Sequence, residues 1–307
     1  MSDSKSLSPD AVIPGSLSGA PFVLQPAAAR LFARRAQRLR QCADAGPLAP
    51  YLSFLASIAQ AQAEIEPHLP PPRAVSTQRA AEAAVHAMPL LTLDDLTSDP
   101  AFAVTLDRLF DAVASAPMPA AAASALDKAR RNAPEVRAQA AGMLFSEPAT
   151  GAVPPDGLFV AAGLQLHAAR AASSLAAATM RPIATGVCPA CGGRPAVSLV
   201  VGVAGAEGAR YAVCSLCATQ WNEVRVTCLS CGSNAGIRYR AVETAADEAD
   251  VKAETCEACQ GWLKIVYQNR NPALDPFVDD VASLGLDLKM RETEFQRRGV
   301  NPWLAGY

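Results

Sequence analysis

The residues in this chain most suited to chemistry are eight cysteines arranged as four Cys-x-x-Cys pairs. Two residues between the cysteines let both sulfurs of one tight turn point at a single metal ion. Two such turns complete a tetrahedral four-sulfur site, as in a zinc ribbon or a rubredoxin-like iron site. The pairs are Cys188 with Cys191, Cys214 with Cys217, Cys228 with Cys231, and Cys256 with Cys259.

The spacing of the pairs forms an internal repeat. Cys228 follows Cys188 by 40 residues, and Cys256 follows Cys214 by 42 residues. Each repeat therefore holds two pairs, and we predict one metal ion for each repeat. The predicted ligands are Cys188, Cys191, Cys214 and Cys217 for the first ion, and Cys228, Cys231, Cys256 and Cys259 for the second.

Other uses of paired cysteines fit this pattern less well. A thioredoxin-like redox site needs one pair, whereas four pairs recur here at repeat spacing. Disulfides are typical of secreted proteins, and the N-terminal stretch lacks the basic region and apolar run of a secretory signal. Four thiolates suit zinc and iron alike, so structural zinc ribbons stay an alternative from the residues alone.

Helices and short strands must position these sulfurs. After an irregular N-terminal arm that ends near Pro26, helical periodicity with punctuating prolines predicts a helical bundle. From Gly186 to Tyr267, short β-like runs replace the helical period. The predicted helices cover 30–40, 52–65, 76–88, 100–115, 119–131, 134–146 and 156–180, and the predicted strands cover 196–201, 211–213, 224–227, 237–242 and 262–267.

A single C-terminal helix is predicted after the strands. Asp275 is a suitable N-cap, and Pro276 suits the first helical position. Arg297 and Arg298 are predicted in its last turn, with Gly299 as the cap. One apolar stripe is expected on this helix, made of Phe277, Val281, Leu284 and Leu288.

The sequence therefore predicts an α+β protein. An N-terminal all-α helical domain is followed by two tandem small rubredoxin-like or zinc-ribbon β modules and a C-terminal helix. The predicted domains are 1–184 for the arm plus helical domain, 185–226 for the first four-cysteine module, 227–272 for the second, and 273–307 for the C-terminal helix and tail packed on the body.

Composition argues against two classes of partner. The 307-residue chain carries a formal net charge of −2, and its cysteine region holds as many acidic as basic residues. Eight thiolates with two divalent ions would make that region negative, which disfavours binding to nucleic acid. The apolar stretch from Leu158 to Met180 is interrupted by polar residues, so no membrane insertion is expected.

The chain is predicted not to be an enzyme, because no phosphate loop, dinucleotide fingerprint or nucleophile elbow occurs in it. Other residues that could carry chemistry receive structural interpretations. We expect core or surface positions for His68, His86 and His167, a half-buried thiol at Cys42, a solvated helix face over Arg30–Arg40 including Arg34 and Arg35, and helix first-turn roles for Asp279 and Asp280.

Over its whole length the chain resembles the FdhE family, the formate dehydrogenase accessory proteins of bacteria. The order of the four pairs, Trp221 between the second and third, and the later Asp-Asp stretch are specific to that resemblance. The Ala-rich helical region matches less sharply. The stretches that carry it include RPIATGVCPACGGRPAVS, YAVCSLCATQWNEVRVTCLSCGS, CEACQGWLK and LDPFVDDVASLGLDLKMRETEFQRRGVNPW.

The resemblance implies two rubredoxin-like modules whose ligands are the eight paired cysteines, with iron favoured over zinc. It implies a cytoplasmic, chaperone-like, non-catalytic protein that binds the catalytic subunit of respiratory formate dehydrogenase before twin-arginine export. A second copy of the chain is another partner to consider. The alternatives are a rubredoxin-like electron-transfer protein and a zinc-ribbon module that binds protein or nucleic acid.

Overall fold

A computed structural model describes residues 19–44, 46–145, 155–203, 205–242 and 249–304. A helical region precedes a region built on one mixed sheet, and short helices follow it. This order confirms the predicted fold class. Of the predicted irregular arm, residues 1–18 lie outside the described ranges, and the described part contains the strand Val23–Leu24. The division into four domains stays a prediction.

The helical region follows the predicted pattern with two differences. The short helix Leu93–Thr97 was not predicted; it begins with a capping box in which Thr92 and Asp95 bond each other's backbone. The last helix ends at Ser173 instead of near residue 180, because the hydroxyls of Ser173 and Ser174 donate back to helix carbonyls. The helices are α1 (Ala28–Cys42), α2 (Ala49–Ile65), α3 (Thr77–His86), α4 (Leu93–Thr97), α5 (Pro100–Ala114), α6 (Ala120–Arg131), α7 (Pro134–Phe145) and α8 (Gly157–Ser173).

Helix α8 forms the centre of the helical region. Its side chains are buried around almost the whole circumference, and Val160 and Leu164 are fully buried. Gly163 lets α5 approach closely, since a Cβ there would lie 2.5 Å from Leu106 Cδ2. The helix therefore packs on several neighbours at once, and its few polar side chains must point at partners inside the protein.

The sheet joins both cysteine repeats. Its strands are β1 (Val23–Leu24), β2 (Pro195–Val200), β3 (Arg210–Cys214), β4 (Gln220–Asn222), β5 (Ile237–Arg240), β6 (Val251–Cys256), β7 (Gly261–Tyr267) and β8 (Gln296–Arg297). The order is β1-β4-β3-β2-β7-β6-β5, and β8 lies beside β7. Three antiparallel strands come from each repeat, and the two sets meet where β2 and β7 pair in parallel, with Ser198 opposite Ile265.

One predicted strand was wrong, and the strands β1, β4, β6 and β8 were not predicted. The stretch 224–227 is not a strand: Val224 is 70% exposed, and carbonyls of the stretch accept hydrogen bonds from the Arg210 side chain instead of from a neighbouring strand. Strand β6 was not predicted, because its residues VKAETC lack an apolar run. It nevertheless lies between β5 and β7 and pairs with both.

The prediction of one long C-terminal helix was also wrong. Asp275 does cap a helix that begins at Pro276, since its carboxylate accepts the N–H groups of Phe277 and Val278. That helix, α9, is Pro276–Ala282, and a second helix, α10, is Leu284–Met290. Arg297 lies in β8, Gly299 caps no helix, and Leu288 is 50% exposed instead of completing the apolar stripe.

Charged residues assigned to solvated positions are partly buried. Arg35 is 1% exposed, and its guanidinium lies 4.0 Å from the centroid of the Phe277 ring. Arg38 forms two hydrogen bonds with the carboxylate of Asp279. Arg35 and Arg38 therefore pack against α9 instead of facing solvent. Arg30, Arg34 and Arg40 are exposed as expected.

Asp280 belongs to a buried ion network below α9 and α10. Its carboxylate accepts hydrogen bonds from Arg297 and lies 3.1 Å from Lys264 Nζ. Asp287 completes the network by pairing with the same two cations. Burial raises the pKa of Asp280, but the charges of Arg297 and Lys264 outweigh it and lower that pKa. The network ties the C-terminal segment to β7.

In the described ranges, no helix combines the length and the apolar character that a membrane crossing requires.

Candidate metal centres

The four cysteine turns share one backbone geometry. In three of them, the N–H that follows the second cysteine donates to the carbonyl of the first: Gly192 to Cys188, Ala218 to Cys214, and Gly232 to Cys228. The residue after the second cysteine has a positive φ in all four turns, at 72° for Gly192, 58° for Ala218, 77° for Gly232 and 51° for Gln260. Glycine adopts this left-handed conformation without strain, whereas Ala218 and Gln260 adopt it at a cost.

The first centre consists of Cys188, Cys191, Cys214 and Cys217. Cys191 Sγ lies 3.4 Å from both Cys214 Sγ and Cys217 Sγ, and Cys188 Sγ lies 3.7 Å from Cys217 Sγ. All four cysteines are buried within the largest hydrophobic core of the protein. The first centre is therefore shielded from solvent on every side.

The second centre consists of Cys228, Cys231, Cys256 and Cys259. Cys228 Sγ lies 3.7 Å from Cys259 Sγ, and Cys231 Sγ lies 3.7 Å from Cys256 Sγ. Cys228 and Cys256 are buried, but Cys231 is exposed and Cys259 is partly exposed. The second centre is therefore accessible to solvent through one cysteine of each turn.

The sulfur positions fit a bound metal ion. Tetrahedral thiolates at a metal–sulfur distance of about 2.3 Å lie about 3.8 Å from each other. The separations in both centres approach that value, and the four sulfurs of each group lie within 4.8 Å of one another. A disulfide would need about 2.05 Å. Each centre can hold one metal ion, and metal ligation by the eight cysteines stays a prediction.

The thiols of the two centres have different surroundings. Burial raises the pKa of Cys188, and it raises the pKa of Cys228 to about 12. The backbone N–H of Ser233 lowers the pKa of the exposed Cys231. Because a metal ion binds the thiolate and not the thiol, metal binding must displace protons from the buried cysteines.

The helical region supports both turns of the first centre, one through the loop between α3 and α4 and the other through α8. The backbone N–H of Leu91 donates to Ala190 O, inside the first turn, at 2.9 Å. Gln165 of α8 donates through Nε2 to Ser215 O, inside the second turn, at 2.7 Å. The sequence analysis did not predict this supporting role of Gln165. The one feature that could have indicated it is an amide side chain within an apolar helix. In the described ranges no helix hydrogen-bonds either turn of the second centre.

Glycines beside the sulfurs leave no room for a side chain. A Cβ at Gly193 would lie 2.9 Å from Cys214 Sγ and 3.3 Å from Cys191 Sγ. A Cβ at Gly261 would lie 3.1 Å from Cys259 Sγ. In each centre, sulfurs therefore pack directly against the backbone of a glycine that lies two residues after the second cysteine of a turn.

The remaining candidates lie away from both centres. His68 and His86 are exposed, and Cys42 is a half-buried thiol at the end of α1, in line with their interpretations. His167 is fully buried beside Asp99, with a separation of 3.3 Å between Nε2 and Oδ2. Burial lowers the pKa of His167 to about 4, so its ring is neutral at pH 7.

Comparison with known proteins covers nearly the whole chain. Family models described as FdhE match in three parts: the N-terminal model over residues 20–185, the central domain over 187–225 and the C-terminal domain over 226–304. A protein named FdhE homolog from Rhizobium meliloti (strain 1021) is 48% identical over 299 residues, which are 97% of this chain and 98% of that protein.

More distant relatives agree in sequence and in structure. An FdhE homolog from Cronobacter sakazakii (strain ATCC BAA-894) is 34% identical over 92% of this chain and 91% of its own length. The crystal structure of the FdhE protein from Pseudomonas aeruginosa matches with a TM-score of 0.83 at 32% identity, over 94% of this chain and 99% of that one. The likeness therefore extends over the helical region, both centres and the C-terminal segment.

Proposed function

Since this chain belongs to the FdhE family, we propose that it is a non-catalytic accessory protein for the assembly of respiratory formate dehydrogenase. In this role it binds the catalytic subunit in the cytoplasm, before twin-arginine export, in the manner of a chaperone. The observation that carries the proposal is family likeness along the whole chain, including both four-cysteine centres.

We further propose that each centre binds one iron ion. Four cysteine sulfurs at tetrahedral separations support a metal, and the family resemblance favours iron over zinc. A bound iron would offer a change of oxidation state, and the exposed Cys231 gives solvent access to the second centre. Loss or oxidation of that iron would disorder the turns around it and so connect redox conditions to partner binding.

Capture of the partner tests the accessory role. A tagged chain, produced in a bacterium that makes respiratory formate dehydrogenase, is expected to retain the catalytic subunit with its signal peptide uncleaved. Deletion of the gene should lower formate dehydrogenase activity, and the wild-type gene should restore it. Absence of the subunit from the captured material, together with unchanged activity in the deletion strain, would overturn the proposal.

The metal proposal has its own test. Protein purified without oxygen is expected to contain about two irons per chain and to develop ferric–thiolate absorption on oxidation. Replacing one cysteine in each centre by serine should abolish both signals and weaken retention of the catalytic subunit. Two firmly bound zinc ions, or retention of the subunit independent of the cysteines, would contradict the redox part of the proposal.

An electron-transfer protein is the second candidate, supported by the solvent-facing second centre. Rubredoxin-like iron close to the surface can exchange electrons with a partner. This alternative predicts a reversible potential for the second centre and reduction by a dedicated reductase. If the second centre shows a reversible potential but no cellular reductase reduces it, the accessory role is the better explanation.

A further inference from the structure

We propose that Arg210, a residue of the first cysteine repeat, is a positioning residue for the second metal centre. Arg210 begins β3, which leads into Cys214 of the first centre. Its side chain contacts the chain on both approaches to the second centre. The proposal rests on the metal binding put forward above and concerns how this chain holds its own ligands.

The guanidinium of Arg210 binds the segment that leads into the first turn of the second centre. Its Nη1 donates to the carbonyl oxygens of Val224 at 3.0 Å and Thr227 at 2.7 Å. Thr227 immediately precedes Cys228. Among the described residues, the segment 224–227 pairs with no strand, so these side-chain bonds take the place of a ladder in fixing its path.

The same side chain binds the strand that leads into the other turn. Its Nη2 donates to Glu254 Oε1 at 2.6 Å, and its Nε donates to Ser198 Oγ at 2.6 Å. Glu254 lies on β6, two residues before Cys256. Arg210 thus connects the residues just ahead of Cys228 and Cys256, and these are the two buried ligands of the second centre.

The burial of this arrangement makes it selective for arginine. The side chains of Arg210 and Glu254 are 0% and 4% exposed, and Cys228, Cys256 and Glu254 line one small cavity. A guanidinium offers five N–H donors in a planar fork, whereas a lysine ammonium offers three. Lysine would keep the charge near Glu254 but could not reach all the carbonyls of the segment at once.

The two centres are consequently supported by different means. Backbone and side-chain donors from the helical region support the turns of the first centre, through Leu91 and Gln165. Arg210 supports the second centre from the first repeat. Loss of Arg210 should therefore weaken metal binding at the second centre and leave the first centre unchanged.

The test is an equilibrium titration of purified protein with Zn²⁺ against a chromophoric chelator. The Cys231→Ser variant first identifies which binding step belongs to the second centre. In Arg210→Lys, we expect the affinity of that step to fall by about 10–100-fold, the range for removing a residue that orients metal ligands. With Co²⁺ in place of Zn²⁺, the thiolate-to-cobalt absorption of the second centre should weaken as well, while the other step stays unchanged.

The matched control is Arg35→Lys. Arg35 is equally buried, but it contacts Phe277 and Asp275 and neither centre. The Arg35→Lys variant is expected to have lower thermal stability and to bind zinc in both steps with wild-type affinity. Should Arg210→Lys fail to fold, Glu254→Gln removes the charge of the partner and is expected to weaken the same step in the same direction.

Three outcomes would overturn the proposal: an unchanged second step in Arg210→Lys, an equal loss of both steps, or no zinc binding by the wild-type protein. The titration uses no formate dehydrogenase. Failure to capture the dehydrogenase subunit would therefore count against the accessory role and leave the role of Arg210 intact.

Discussion

At the scale of single residues, the turns that carry the cysteines share one requirement, a left-handed residue after the second cysteine. Gly192 and Gly232 were predictable at these places, because glycine is the residue that favours such a conformation. Ala218 and Gln260 gave no such signal, and their φ values of 58° and 51° appear only in the structure. The fold thus imposes on two ordinary residues a conformation that they disfavour.

Replacing Gln260 by glycine should therefore stabilise the protein. Relief of the left-handed conformation stabilises the folded protein by about 1–2 kcal/mol. The greater conformational freedom of glycine in the unfolded chain offsets about 0.4–1 kcal/mol of that gain. We expect a net gain of roughly 0.5–1 kcal/mol, because Gln260 is exposed and its side chain contributes little packing. Urea unfolding in metal-buffered solution measures this gain in the free energy of unfolding. The control Gln260→Ala keeps the Cβ and should give no gain; an equal gain there would refute the explanation.

His167 should make stability depend on pH. Its folded pKa of about 4 lies below the ordinary 6.5 because the ring is buried. The unfolded state therefore takes up a proton first as the pH falls. The stabilisation is complete above pH 6.5 and is lost between pH 6.5 and 4, by about 3 kcal/mol in total.

The measurement is the free energy of unfolding of wild type and His167→Gln between pH 7 and pH 4.5. Metal loss at low pH affects both proteins alike, so the difference between the two curves isolates the histidine. We expect the variant to lose less stability over this range. Parallel curves would show that His167 is not the group responsible.

At the scale of elements, the C-terminal segment is held by charge as much as by apolar packing. Lys264 of β7 is fully buried, and it pairs with Asp280 of α9 and Asp287 of α10. Removing one member of a buried ion pair leaves an uncompensated charge in the interior, which typically costs 3–5 kcal/mol. The two short helices should therefore depend on this one lysine.

Accordingly, Lys264→Met is expected to destabilise the protein by about 3–5 kcal/mol, measured by urea unfolding. Lys289→Met is the matched control on α10. Lys289 pairs with Glu292 at the surface, where both side chains are about two-thirds exposed, so its loss should cost under about 1 kcal/mol. Similar losses in the two variants would mean that burial does not govern these ion pairs.

The start of this segment could be read from sequence, and its end could not. Asp275 and Pro276 are local signals, and both act as predicted. The end depends on β7: Arg297 lies beside Trp262 in the sheet, and its guanidinium reaches Asp280. Periodicity also placed Arg35 at the surface, because its partner Asp275 lies far away in the chain. Local pattern cannot predict burial that a distant element causes.

At the scale of the whole molecule, the two centres differ in exposure although their sequences repeat. Spacing correctly grouped the eight cysteines in space. It could not distinguish the centres, because the difference comes from the helical region, which in the described ranges hydrogen-bonds the turns of the first centre and not those of the second. The first centre lies in the main core, whereas Cys231 of the second faces solvent.

Metal release should follow this difference. With excess chelator at neutral pH, we expect one ion per chain to leave quickly from the second centre and one slowly from the first. Cys231→Ser should retain only the slow phase. Release should also accelerate as the pH falls, since protons compete for the thiolates. A single phase in the wild-type protein would show that exposure does not control release.

The parallel pairing of β2 with β7 also bears on how the protein is made. A ribosome delivers β2 about sixty residues before β7, so β2 has no neighbour on that side while the intervening chain is synthesised. All six of its residues are buried in the finished protein. Until β7 arrives, the nascent chain carries an apolar strand with an open edge, the kind of surface that pairs with other chains. A protein whose proposed task is to assist the assembly of an enzyme therefore passes through its own interval of exposure during translation.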